Sequence, residues 1–312
     1  MHISKTYQLA KQNILAGIGL ATLASALWSV NFIIAKDVFD KIPPVSLAFF
    51  RWSTATIIIF PFALKHLKTD WPVIKQHLLF FFFAALTGVS LFNTLVYVGA
   101  HYTSAINLAL IGTTTSPVFS ILLARIFLKE KIDLAKIIGL VFCFLGILYL
   151  LSKGSWHNLL HLNFSEGDLW VLAAAFSFSF YNILVKKKPA AISTTGFLVT
   201  TFTIGTALLV PFFIYDTLHA APIQWSSRLV GDILYIGIGA SVISFLCWNL
   251  AIGHLGAGRA SLFGNLIPLF SSIEAIFILN EAFTRDHIIS TCLVFAGLVV
   301  ANLHFTRVKS QS

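Results

Sequence analysis

A chain of 312 residues that is 57% apolar and only 11% charged cannot fold as a water-soluble domain. Its formal charge of +9 marks no nucleic-acid surface, because the basic residues collect in the connections between apolar runs. That pattern sets orientation in a bilayer and excludes the nucleic-acid class.

Ten apolar stretches are each long enough to cross about 30 Å of hydrocarbon as a helix. They fall near 15–35, 45–64, 78–98, 103–124, 134–151, 168–185, 194–215, 232–252, 257–279 and 287–305. The sequence therefore predicts an all-α polytopic membrane protein, with connections too short for a soluble domain between spans. Barrel strands are excluded, since those run to about ten residues and alternate. The first stretch follows Lys5 and Lys11 and contains Ala24-Ser25-Ala26, which imitates a signal peptide. Its counterpart near 168–185 is internal, so the first is read as a retained helix.

Counted by loop, fifteen Lys and Arg fall on one face and five on the other, with Arg51 inside a helix. The basic loops include Lys65, Lys68 and Lys75, then Arg125, Lys129, Lys131 and Lys136, then Lys186, Lys187 and Lys188. This asymmetry predicts both termini in the cytoplasm and location in a cell (inner) membrane.

The chain also repeats itself. A shift of 151 pairs Gly88 with Gly239, Pro117 with Pro268, Glu130 with Glu281 and Gly146 with Gly297. Nearer the N-terminus the shift is 150, pairing Ala24 with Ala174, Ser29 with Ser179 and Pro61 with Pro211. Ten spans in two copies give five per copy, over 1–152 and 153–312, and an odd number turns the second copy upside down. Paired inverted halves are the architecture of many secondary transporters, with the solute site where they meet.

Several motifs in this order resemble a known family. They are Ala26-Leu27-Trp28-Ser29-Val30-Asn31-Phe32, Phe50-Arg51-Trp52, Ser116-Pro117-Val118-Phe119-Ser120 and Phe127-Leu128-Lys129-Glu130. The second half carries 260–270 (ASLFGNLIPLF) and Leu279-Asn280-Glu281. The chain resembles the drug/metabolite transporter superfamily, in its exporters built from two EamA-type domains, over nearly its whole length. Lys129 and Asn280 depart from the glycine that the family more often places before that glutamate. The resemblance implies ten helices, cytoplasmic termini, a central cavity beside the two proline-bearing helices, and alternating access. It does not name a substrate.

Polar side chains at bilayer depth are where function is sought, because each costs free energy unless it faces a cavity or a partner. Glu274 lies mid-span, and its counterpart is Leu123, so repeat symmetry does not require an acid there. It either exchanges a proton against the solute or pairs with a cationic one; the alternative is a structural carboxylate held by Arg51, Arg259 or a backbone donor. Arg51 either attracts an anionic or zwitterionic solute or is held structurally. Pro117 and Pro268 are read as helix breaks that free carbonyls beside the solute site. Asn107 and Asn265 precede them as candidate contacts, the alternative being kinked helices that satisfy themselves.

Aromatic and amide groups recur at depth as Trp28 and Asn31, Asn93 and Tyr97, Tyr181 and Asn182, and Trp248 with its neighbour Asn249. They could form a cage with a few hydrogen bonds for a small amphipathic solute, or simply face lipid. Glu130 and Glu281 read as exposed interfacial residues.

Cys143, Cys247 and Cys292 fall within spans with no ligand spacing, so neither a disulfide framework nor a metal or other cofactor is expected. There is no phosphate-binding glycine loop, HExxH helix or nucleophile elbow. The reading is a secondary exporter of a small organic metabolite such as an amino acid, with proton coupling through Glu274 as one option. An intramembrane enzyme and a passive solute channel are the alternatives.

Overall fold

The structure is a computed structural model that describes residues 2–103, 105–132, 134–152, 154–160, 165–279 and 285–303. The described residues are helical with short turns. In chain order the long helices are α1 (His2–Asp37), α2 (Pro44–Gln76), α3 (Leu78–Tyr102), α4 (Ala105–Leu128) and α5 (Leu134–Ser152). After a short helix at Trp156–Leu160 come α6 (Glu166–Lys187), α7 (Thr194–His219), α8 (Ser227–Leu255), α9 (257–279) and α10 (Arg285–Leu303).

Six segments are long and apolar enough to cross a membrane: Asn13–Ala35, Pro44–Lys65, Leu78–Tyr102, Glu166–Lys187, Thr194–His219 and Ser227–Leu255. Shorter apolar helices cover Thr115–Leu128, Leu134–Tyr149 and Ile288–Ala301. Their outward faces carry Phe60, Phe62, Leu79, Ile126, Phe127, Phe212 and Ile214, all exposed. An apolar belt of this extent is a lipid surface, and the chain is a multi-pass membrane protein.

Local chemistry sets the helix starts. Pro44 opens α2, where its missing N–H removes nothing. Ser193 and Ser226 cap α7 and α8 by accepting from the N–H groups of Gly196 and Leu229. At α6 the Asp168 carboxylate accepts from the Ser165 N–H, 2.6 Å away, and from the Thr103 hydroxyl, tying the end of α3 to the start of α6. Gly256 turns the chain between α8 and α9 at φ +84°, a conformation open to glycine.

Two features of the helices depart from the sequence reading. Both α3 and α8 widen to π-helix at corresponding places, Leu86–Leu91 and Ile238–Ile243. Pro117, expected to break its helix, lies within continuous α4, where proline removes one backbone N–H donor. Near Pro268, 3-10 backbone over Ser261–Leu266 gives way to α-helix at Ile267.

The contacts exchange under the repeat shift. Helix α2 packs on its counterpart α7, and α5 on its counterpart α10. The pair α4 with α6 is matched by α9 with α1, and α3 with α6 by α8 with α1. The α2/α7 pair runs antiparallel: Ser46, at the start of α2, donates to Asp216 near the end of α7 (3.2 Å), while Ser193 donates to Asp70 near the end of α2 (2.6 Å). Between α5 and α10 the backbones nearly touch, so a Cβ on Gly139 would lie 2.6 Å from the Gly297 carbonyl oxygen and one on Gly297 2.5 Å from that of Gly139. Small residues permit this approach, which replaces a hydrophobic driving force that lipid does not supply.

Candidate functional site

Three helices from each half meet around a small central cavity. Its walls are Trp28 and Asn31 (α1), Phe92, Asn93 and Val96 (α3), Gly112, Ser116 and Pro117 (α4), Phe178 (α6), Trp248 (α8), and Ser261, Gly264 and Ile267 (α9). The free volume is about 40 Å³, room for a few water molecules and too little for an organic solute. The apolar part is aromatic: the Trp28 ring lies 4.9 Å from that of Trp248 and 5.5 Å, edge-on, from that of Phe178. Phe92 stacks on Phe178 at 4.4 Å.

Behind Asn31 stands Arg51, 1% exposed. Its Nη1 donates to Asn31 Oδ1 (2.7 Å) and to the Tyr97 hydroxyl (2.9 Å), its Nε to Ser241 Oγ (2.7 Å), and its Nη2 to the Ala240 carbonyl (3.0 Å). Trp28 Nε1 donates to that same carbonyl at 2.7 Å. Ala240 lies in the π-segment of α8, and its carbonyl oxygen receives both donors. Tyr97 donates in turn to Asn31 Oδ1 at 3.0 Å, so one amide oxygen of the cavity wall is held by a tyrosine and a guanidinium. The Asn93 amide nitrogen, also in the wall, is buried and has no hydrogen-bond partner among the described residues.

A second network stands on the other side. Trp248 Nε1 donates to Asn182 Oδ1 (2.9 Å), Asn182 Nδ2 to Ser120 Oγ (3.2 Å), and Asn249 Nδ2 to the Tyr181 hydroxyl (2.9 Å).

Of the candidates taken from sequence, Trp28, Asn31, Asn93, Pro117 and Trp248 come together in the wall. Tyr97, Tyr181, Asn182 and Arg51 stand one layer behind and hold wall residues in place. Asn265 is buried away from the cavity, its Nδ2 donating to the Leu262 carbonyl (3.0 Å) of its own helix, and Pro268 follows wall residue Ile267 without lining it. The Asn107 side chain and Glu281 lie outside the described residues.

Glu274 is not paired with Arg51, all of whose hydrogen-bond acceptors are neutral. Its Oε1 lies 2.5 Å from the Ser29 hydroxyl, and its Oε2 is buried with no partner among the described residues. Ser29 also donates to the Ala26 carbonyl at 2.5 Å, so one hydroxyl proton faces two acceptors. Glu130, read as exposed, is partly buried and paired with Lys136 at 3.6 Å. It lies under Gly256, where an added Cβ would approach its Oε1 to 3.0 Å. The turn at Gly256 leaves room for the acid, which draws it in from the interface.

Sequence reasoning passed over Phe178, although it is the repeat counterpart of Trp28, and Ile267, the counterpart of Ser116. Mapping Trp28 through the repeat would have found Phe178, whereas Ser116, not itself a candidate, left Ile267 unmarked. Phe92 and Val96 flank Asn93 on one helix face, a periodic signal hidden by the many phenylalanines around it.

The EamA-like transporter family matches the chain twice, over residues 15–152 and 165–303. A Bacillus subtilis protein named "Uncharacterized transporter YyaM" is 27% identical over 286 residues, spanning 89% of this chain and 90% of its own length. A "Probable amino-acid metabolite efflux pump" of Escherichia coli is 22% identical over 292 residues, spanning 90% of this chain and 93% of its own. A solved crystal structure superposes with a TM-score of 0.74 at 18% identity, covering 96% of this chain and 99% of that one, which shows a shared fold. With both halves of the sequence matched and the two halves enclosing one cavity, the chain belongs to the EamA-like transporter family.

Proposed function

We propose that this protein is a secondary transporter with ten membrane crossings, built as two inverted five-helix repeats over 1–152 and 153–312, with both termini cytoplasmic in the inner membrane. It exports a small organic metabolite, such as an amino acid, by alternating access. The observation that carries the reading is the cavity walled by three helices from each half. A site shared by two halves changes its exposure when they rock against each other. The space of about 40 Å³ supports an occluded form that must widen before a solute enters. The amino-acid substrate class is supported by the name of the Escherichia coli relative.

Glu274 couples transport to protons in this reading. It sits beside Ser29 on α1, the helix that also supplies Trp28 and Asn31 to the cavity, so its protonation bears on a wall helix. Tyr235 is a titratable group near it, and its hydroxyl is engaged with the Leu27 carbonyl at 3.0 Å.

Purified protein in liposomes loaded with radiolabelled amino acids should release them faster than empty vesicles, saturably and with competition by unlabelled solute. Flux no faster than leakage across a broad metabolite panel would remove the reading. Reporter fusions at residues 131 and 189 should read cytoplasmic and those at 160 and 222 external; a reversal would break the ten-crossing topology.

A further inference from the structure

We propose that the transported solute carries a carboxylate received by Arg51 and Asn93, with its apolar body held by Trp28, Phe178 and Trp248. This rests on the transport reading above and narrows it to a substrate class.

Two observations carry the proposal. Arg51 is a guanidinium buried at membrane depth whose hydrogen bonds all end on neutral oxygens, those of Asn31, Tyr97, Ser241 and Ala240. The Trp52 ring, 5.2 Å from its Cζ, is the further contact. Its four hydrogen bonds use four of five N–H groups, and no acid among the described residues forms an ion pair with it. A buried charge without a counter-charge is costly, and an anion that arrives with the solute removes that cost only while it is bound. Independently, Asn93 is 1% exposed and lines the cavity, and its amide nitrogen lacks a partner among the described residues. An orphan donor at such a place is satisfied by an acceptor that comes and goes.

Asn31 connects the two. Its Oδ1 occupies the position in front of Nη1 and belongs to the cavity wall. When the halves part, a carboxylate oxygen replaces that amide oxygen and forms charge-assisted bonds in the fork geometry that guanidinium favours. The remaining wall combines aromatic rings with small and aliphatic residues and carries no charged side chain, which suits one anionic group on an apolar body.

The test is thermal stabilisation of the intact protein in nanodiscs by matched probes: 4-methylpentanoate and 3-phenylpropanoate, their primary amides, and the corresponding amines. The acids should raise the melting temperature in a saturable way, and the amides and amines should not. Arg51→Gln should abolish the shift, and Arg51→Lys, which keeps charge but not the fork, should weaken binding about tenfold. Because the probe series is read on unaltered protein, a variant that fails to fold does not decide the outcome. Equal stabilisation by acids and amides would overturn the proposal, as would stabilisation by none, or an acid preference that survives in Arg51→Gln. Protein that moves amines or sugars in liposomes but ignores every acid would overturn this inference and leave the transport reading standing. Protein that binds acids yet moves no solute would do the reverse.

Discussion

Thr56 and Thr206 bring their hydroxyl oxygens to 3.2 Å of each other, and each is the other's counterpart under the 150-residue shift. Cys143 and Val294 behave likewise under the 151-residue shift, the thiol reaching the Val294 carbonyl at 3.6 Å. Residues that meet their own counterparts mark a pseudo-twofold axis, which passes between α2 and α7 and between α5 and α10.

Cysteines at positions 56 and 206 should therefore cross-link. In a background with Cys143, Cys247 and Cys292 replaced by alanine, Thr56→Cys with Thr206→Cys should form an intramolecular disulfide under mild oxidation, because the side chains already stand within bonding range. Gel mobility with and without reductant reads it; two thiols that stay free would move the axis elsewhere.

Replacing Glu274 by glutamine should leave folding intact and erase the response of flux to an imposed pH gradient. Downhill exchange of labelled for unlabelled solute at uniform pH should survive, because the cavity wall does not include this side chain. Gradient-driven transport that persists in Glu274→Gln would assign coupling to another group.

Gly139→Ala and Gly297→Ala should each destabilise the protein by about 1–3 kcal/mol, since the new methyl meets rigid backbone across the α5/α10 interface. Gly231→Ala, where nothing lies within 4 Å, should be neutral or stabilising by up to about 1 kcal/mol. Thermal melts in one detergent compare the three, and equal melting temperatures would contradict the packing.

Asp70 binds Ser193 and also faces Lys188, outside the spans. Burial lowers the Lys188 ammonium from its ordinary value of 10.5, and Asp70 pulls it back up. Between the lowered folded value and 10.5 the unfolded chain holds more protons, so stability rises with pH across that window. Asp70→Asn should extend the window toward lower pH and lower the melting temperature at pH 7, measured as melts from pH 7 to 10. A pH profile that does not change would separate the two residues.

The sequence made the gross plan legible because lipid leaves few options. Each of the long helices α1 to α10 overlaps an apolar stretch, and the repeat shift relates α2 to α7 and α5 to α10. Trp28, Asn31, Asn93 and Trp248 stood out for being polar or amphipathic where hydrocarbon was expected. The π-segments at Leu86–Leu91 and Ile238–Ile243 were not legible, since one extra residue in a turn changes neither hydropathy nor length appreciably. Nor was the role of the Ala240 carbonyl, which lies in the second of them. The partner of Glu274 was equally hidden: Ser29 lies 245 residues away in sequence, and serines are common in these helices. The local engagement of Asn265 was hidden as well: its Nδ2 donates to the Leu262 carbonyl of its own helix, and its Oδ1 has no partner among the described residues.

The crossed bonds between α2 and α7 have a further consequence. Ser46 with Asp216 and Ser193 with Asp70 form two clasps of one chemistry at opposite ends of the same helix pair, and both are fastened. Under the alternating-access proposal, parting the helix pair at either end would release one clasp and keep the other. Each release would then cost about one hydrogen bond to a carboxylate, about 1.5–3 kcal/mol, and the two costs would nearly cancel. In that proposal the helix pair itself favours neither direction, which is left to the gradients across the membrane.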